Sequence, residues 1–253
     1  MIVCKSPSEI EKMRAANQLV ARILDELAAI VAPGVSTADL DAAAEARVRA
    51  AGAEPAFKGY RGYPATLCAS VNEQVVHGIP NARPLASGDI ISLDMGVKLN
   101  GYYGDSAITV AVGAVSDDAA RLLRVTEEAL EHGIAQVRVG GRISDIGHAI
   151  QQHVEAGGFS VVREFVGHGI GASLHEEPQI ANYGEPGRGP RMAEGMTLAI
   201  EPMVNLGRPA VRVLADGWTA VTKDGSLSAH FEHTVAVTKS GPLVLTTRPV
   251  AAR

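Results

Sequence analysis

The tightest constraint on how this chain can fold is a set of acidic residues written into apolar sequence: Asp94 in ISLDMG, Glu201 in LAIEPMV and Glu232 in FEHTV. Asp105 follows Asp94 closely, in the more polar string YYGDSA. Runs of this kind are expected to be buried, and an ionised carboxylate buried without a partner costs several kcal/mol or more. Lysine and arginine are sparse around these segments, so ion pairs cannot absorb all the charge. Divalent cations can. Four carboxylates carry roughly −4, which two such ions balance, and oxygen-rich ligation with one imidazole suits hard-to-borderline metals. His168, bracketed by glycines in GHGIG, is the imidazole presented most openly. A fold that brings these distant segments to one two-metal hydrolytic site is the expectation they set.

At 253 residues the chain is long enough for a substantial core, as one large domain or two small ones. A net charge of −5 with 46% hydrophobic residues argues against disorder and against a general nucleic-acid surface. Cys4 and Cys68 alone make neither a disulfide framework nor a structural zinc module. No apolar run reaches membrane-spanning length, and MIVCKSPSEIEKM turns polar too soon for a signal peptide. A cytoplasmic protein is expected.

Ser6-Pro7-Ser8-Glu9 opens a helix with N-cap, proline and capping-box acid, and helical periodicity runs on to Pro33-Gly34. A second helix is expected from Thr37 to a stop at Gly52, and a later pair from Asp117 to Val137 and from Ser144 to Ala156. Strand-like runs cover Thr66–Val71, Ile90–Val97, Tyr102–Val112, Thr197–Val204, Val211–Leu214, Trp218–Thr222 and Ala229–Val237. An offset of 106 superposes Gly34 on Gly140, Asp39 on Asp145, Leu40 on Ile146, Val48 on Val154 and Gly52 on Gly158. One further residue of shift puts Asp94 on Glu201. The pattern predicts one α/β domain of two quasi-repeated halves, about 1–112 and 113–253, sharing a central site.

Asn100-Gly101 is a two-residue hairpin signal. That turn sets Asp94 opposite Ala107 and leaves Asp105 two residues away on the same face, where both acids can reach shared ions, whereas a three-residue loop would put them on opposite faces. Of the eight histidines, His132, His148 and His153 lie on predicted helices and read as solvated. His230 and His233 border Glu232 and stay unassigned, and His77 reads by default as a core histidine.

Taken together, GYPATLCASVNEQVVHGIP, the SLDMG and GYYGDSA pair, GHGIGASLHEEPQI, MTLAIEPMV and SLSAHFEHTVAVT resemble the type I methionine aminopeptidases, in order and across nearly the whole chain. The resemblance implies the pita-bread fold, two pseudo-symmetric α/β halves around a dinuclear metal site. It implies Asp94, Asp105, His168, Glu201 and Glu232 as ligands of two divalent ions, with iron, manganese, cobalt or zinc all admissible. It also implies excision of the initiator methionine from new polypeptides whose second residue is small. Glu201 would then move protons, His175 would donate to the oxyanion and His77 would orient the peptide, so His77 leaves its default reading. Tyr60, Tyr63, Cys68 and Trp218 match the methionine pocket. Leu174 departs from it, because a phenylalanine is common in the family just before the second histidine. Nascent amino termini are the implied partners, the ribosome is a further expectation, and a monomer is the family's habit.

Overall fold

The computed structural model describes residues 1–247; the end of the predicted second half, residues 248–253, lies outside the described residues. Helix α1, Pro7–Ile30, starts at Ser6, whose hydroxyl accepts from the Glu9 backbone while the Glu9 carboxylate accepts from the Ser6 N–H at 2.8 Å. Helix α2, Thr37–Ala50, repeats the device: the Ser36 N–H donates to Asp39 at 3.0 Å. Helices α3, Asp117–Ile134, and α4, Ile143–Ala156, form the later pair, with α3 ending three residues before the predicted Val137.

Positions 106 residues apart have like local conformations. Gly34 and Gly140 have φ of 94° and 86°, and Gly52 and Gly158 have 70° and 78°. This is the left-handed region that glycine enters without a Cβ penalty. Asp145 accepts from the Arg142 N–H at 2.8 Å, as Asp39 does from Ser36, while Leu40, Ile146, Val48 and Val154 are all fully buried. The repeat is thus a helix with its entry turn, its acid at the third position and its glycine stop.

In the first half, Ile90–Leu99 is the central strand, pairing with Glu54–Pro55, Leu67–Val71 and Tyr102–Ala111. The second half carries a five-stranded sheet in the order 241–244, 233–238, 197–200, 167–169, 176–180. Leu24, Leu40, Ile91 and Leu93 belong to the same apolar core as Leu122, Ile146, Ile150 and Val235. Asn100 (φ 53°) and Gly101 (φ 83°) make the tight turn, and the register puts Asp94 opposite Ala107 and Asp105 opposite Gly96, as predicted.

Two predicted strands differ. Thr197–Val204 is broken into Thr197–Ile200 and Met203–Asn205, and Ala229–Val237 into Ser228–His230 and His233–Thr238. The first break falls at Glu201-Pro202 and the second at Phe231-Glu232. Pro202 has no N–H for a ladder, and each chain changes sheet there, so residues 197–200 pair with 233–236 while 203–205 pair with 228–230. Both acids stand where the backbone leaves one sheet for another.

Candidate metal centre

The junction between the halves builds the site. Glu232 bridges to Ala107 with its N–H on the Ala107 carbonyl at 2.9 Å. Around that bridge, Ser106 donates to the Glu232 carbonyl at 2.6 Å, Thr234 to the Asp105 carbonyl at 2.8 Å, and Thr109 to the His230 carbonyl at 2.7 Å. The strand that carries Asp105 is therefore locked to the segment that carries Glu232, and the spacing of their carboxylates follows from backbone pairing. The Asn182 amide donates to the Glu201 carbonyl at 3.0 Å, fixing the other break.

All five predicted ligands line one cavity of about 200 Å³. Asp105, His168 and Glu232 offer ligand atoms within 4.8 Å of one another. His168 Nε2 lies 3.5 Å from Glu201 Oε1 and 3.9 Å from Asp105 Oδ2. Asp105 is as buried as Glu232, at 3% exposed, although its sequence setting was the most polar of the four. Asp94 and Glu201 are half-buried. Gly167 and Gly169 flank His168 where any Cβ would strike the carbonyls of Ala199 and Glu177, so only glycines let this strand lie so close.

The donor set fits a cation on three counts. Oδ1 of Asp94, Oδ1 of Asp105 and Oε1 of Glu232 are buried with no hydrogen-bond partner. Such atoms are costly unless something positive meets them. Second, His168 Nδ1 lies 2.8 Å from the Gly169 carbonyl, which can only accept, so Nδ1 carries the proton and Nε2 turns its lone pair to the cavity. Third, burial raises every carboxylate: Asp94 to about 7, and Asp105, Glu201 and Glu232 well above the usual range, helped by one another's charge. Burial pushes His168 down to about 3 and keeps it a neutral ligand.

These shifts predict how the metal-free protein responds to pH. Between about pH 7 and 8 the unfolded chain's carboxylates and nearly all its histidines have lost their protons. Burial raises Asp94 to about 7 and Asp105, Glu201 and Glu232 in the same direction, so the folded chain binds more protons than the unfolded one around pH 7 and its stability falls as pH rises. The Tm of chelator-treated protein is expected to drop across that window, and excess divalent metal should remove the slope. A flat Tm in chelator would contradict the convergence of buried carboxylates.

His77, His175, Tyr60, Tyr63, Cys68, Leu174 and Trp218 line the same cavity, joined by Phe57, Arg61, Phe165, Met203 and His230. His175 Nδ1 lies 2.9 Å from the Tyr60 hydroxyl, its ring stacks on Tyr60 and comes within 4.2 Å of the His168 ring. The turn that carries it is tied down by Glu176, which accepts from the Ser173 N–H at 3.1 Å and from Lys5 at 2.5 Å. His77 has a left-handed backbone (φ 60°) and meets Phe165 and Trp218 edge-on. Burial, then the nearby His175, takes its pKa down to about 4. Cys68 is buried with Tyr63, and burial holds its thiol protonated. Leu174 packs in a small apolar cluster with Met13, Ala56 and Ile170 as well as lining the cavity.

The unassigned His230 is 1% exposed, both its ring nitrogens lack partners, and Nε2 lies 3.8 Å from Glu201 Oε2. His233 instead meets the Thr246 hydroxyl at 2.8 Å. The helical histidines are less free than their polar neighbours suggested. His153 bonds Glu128 at 3.0 Å and stacks on His132, and His148 meets the Gly184 carbonyl at 3.0 Å.

Comparison with known proteins agrees with this geometry. Residues 11–239 match metallopeptidase family M24. Methionine aminopeptidase 1 of Bacillus subtilis is 55% identical over 246 residues, covering 97% of this chain and 99% of its own. The crystal structure of methionine aminopeptidase from Thermotoga maritima superposes with a TM-score of 0.96 at 48% identity, covering 98% of this chain and all of that one. That of the Rickettsia prowazekii enzyme gives 0.96 at 43% identity with the same coverage. The chain belongs to metallopeptidase family M24 and, within it, to the type I methionine aminopeptidases.

Proposed function

We propose that this metallo-hydrolase removes the initiator methionine from new polypeptides whose second residue is small, using two divalent ions held by Asp94, Asp105, His168, Glu201 and Glu232. The observation that carries the reading is the convergence of these five side chains, with orphaned buried oxygens among them, on a cavity also lined by aromatic rings and a thiol. Lewis-acid activation of water at neutral pH is the chemistry that divalent ions supply in such a site. Iron, manganese, cobalt and zinc all suit the donors.

Each side chain then has a task. Glu201 accepts a proton from the attacking water and returns it to the leaving amine. His175 Nδ1 lies 2.9 Å from the Tyr60 hydroxyl; we assign the hydroxyl as donor, which puts the ring proton on Nε2, free to donate to the developing oxyanion. His77 orients the peptide beyond the cut. Tyr60, Tyr63, Cys68, Leu174 and Trp218 receive the methionine side chain, whose thioether favours aromatic edges and soft atoms. At about 200 Å³ the cavity is smaller than the ~300 Å³ at which drug-sized pockets begin, which suits one terminal residue and its amine better than a chain running through.

The reading describes a single catalytic domain of two halves, about 1–112 and 113–253, acting as a cytoplasmic monomer on nascent amino termini at the ribosome. No helix among the described residues is long and apolar enough to cross a membrane. The test is metal analysis of protein purified without added metal, followed by release of methionine from Met-Ala-Ser as ions are restored one at a time. Absence of both bound metal and methionine release would sink the proposal. Leu174 offers a finer check. Leu174→Phe should raise the preference for Met-Ala-Ser over norleucine-Ala-Ser, since one patch of apolar contact is worth about 1–3 kcal/mol of discrimination. An unchanged kcat/KM ratio would assign Leu174 to the core cluster alone.

A further inference from the structure

We infer that Arg61 is a specificity-determining residue, its guanidinium at the cavity mouth favouring substrates with an acidic third residue and disfavouring basic ones. This rests on the aminopeptidase reading and adds a substrate class to it. Among the described residues that line the cavity, Arg61 is the one lysine or arginine. It is exposed, whereas Asp105 and Glu232 lie buried within, so its charge sits on the solvent side of the site.

The backbone goes to some trouble to keep it there. Four described non-glycine residues have positive φ. Two are the turn asparagines Asn72 and Asn100, for which this conformation is easy; the others are Arg61 (φ 50°) and His77 (φ 60°), and both line this cavity. Gly59 and Gly62, at φ 86° and 92°, bracket Arg61 and let the chain make the tight loop. Strained conformations of this kind persist where surrounding structure over-determines them, and they gather at ligand-binding sites. The Arg61 guanidinium lies 5.4 Å from the centroid of the Tyr60 ring. It pairs with no carboxylate among the described residues, so its charge is available to a ligand.

Its position relative to the scissile bond follows from its neighbours. Tyr60, against which the guanidinium rests, bonds to His175, the donor assigned to the scissile carbonyl. The charge is felt there: burial, and then Arg61, lower the His175 pKa. The methionine side chain and its amine occupy the interior, and the second residue is small. An extended chain advances about 3.3 Å per residue, so the third residue is the first with a free side chain and reaches the mouth beside Arg61. An exposed cation there attracts aspartate or glutamate and repels lysine or arginine, by a few-fold and in a manner screened by salt.

The experiment compares kcat/KM for Met-Ala-Glu-Ser, Met-Ala-Gln-Ser and Met-Ala-Lys-Ser, each as the amide, with the metal-loaded full chain at low salt. The expected order is Glu, Gln, Lys with a span of roughly fivefold, shrinking in about 0.5 M salt. Arg61→Gln should flatten the order, Arg61→Lys should keep most of it and Arg61→Glu should invert it. Each ratio is taken within one preparation, so it does not depend on the fraction of enzyme folded. Equal values for the three peptides in the native protein, or an unchanged order in Arg61→Gln, would overturn the inference and leave the aminopeptidase reading standing. Failure to cleave any of the three, Met-Ala-Gln-Ser included, would overturn that reading and the inference together.

Discussion

Replacing Glu201 by glutamine is expected to abolish turnover, to weaken metal binding and, in chelator, to make the protein more stable. The three effects have one origin. Glu201 lies among Asp94, Asp105 and Glu232, with Oε1 at 3.5 Å from His168 and Oε2 at 3.8 Å from His230. Burial, then the Asp94 charge, raise its pKa, which describes a carboxylate waiting for a cation. Glutamine keeps the shape but removes one negative charge and the proton acceptor. Loss of general acid–base catalysis alone costs about 10²–10⁴-fold. Without metal, however, the same substitution removes a source of like-charge repulsion, so Tm in chelator should rise above that of the parent at pH 8. A variant that kept two metals and near-parental kcat would refute both roles given to Glu201. A lower Tm in chelator would mean that the carboxylates do not repel one another in the folded chain.

Much of this centre was legible because local rules act where the site is built. The Asn100-Gly101 turn fixes the register of its hairpin, and with it the relation of Asp94 to Asp105, since a two-residue turn leaves the pairing no freedom. Capping residues place the starts of α1 and α2 with equal certainty. The strand breaks at Glu201-Pro202 and Phe231-Glu232 were hidden because apolar residues continue on both sides, burying each segment in a different sheet. Pro202 was the one local signal of the first break. Gly167–Gly169 and Glu176–Ile180 lack strand-like side chains, and their pairing comes from close backbone approach that no pattern records. Phe57, Phe165 and Met203 reach the cavity only through tertiary folding. The same holds for His153, whose partner Glu128 lies 25 residues away on the neighbouring helix.

His175→Ala should lose catalysis and keep its metals. The ring is close to the centre, 4.2 Å from that of His168. Its Nδ1 is engaged by the Tyr60 hydroxyl, and the turn behind it is anchored by the Lys5–Glu176 pair, so the imidazole is aimed by contacts that owe nothing to a cation. Burial, then Arg61, lower its pKa, which keeps it neutral at pH 7 and able to offer one N–H without carrying a full charge into a site of cations. Removing one such donor typically costs about 10²–10³-fold in kcat. Tyr60→Phe separates aim from chemistry. It deletes the hydroxyl that holds Nδ1 while leaving the imidazole, so kcat should fall by less than in His175→Ala, with metal content again unchanged. Measured together, metal stoichiometry and kcat decide the assignment. Joint loss of metal and turnover in His175→Ala would make this histidine a ligand, and an unchanged kcat would remove it from the reaction.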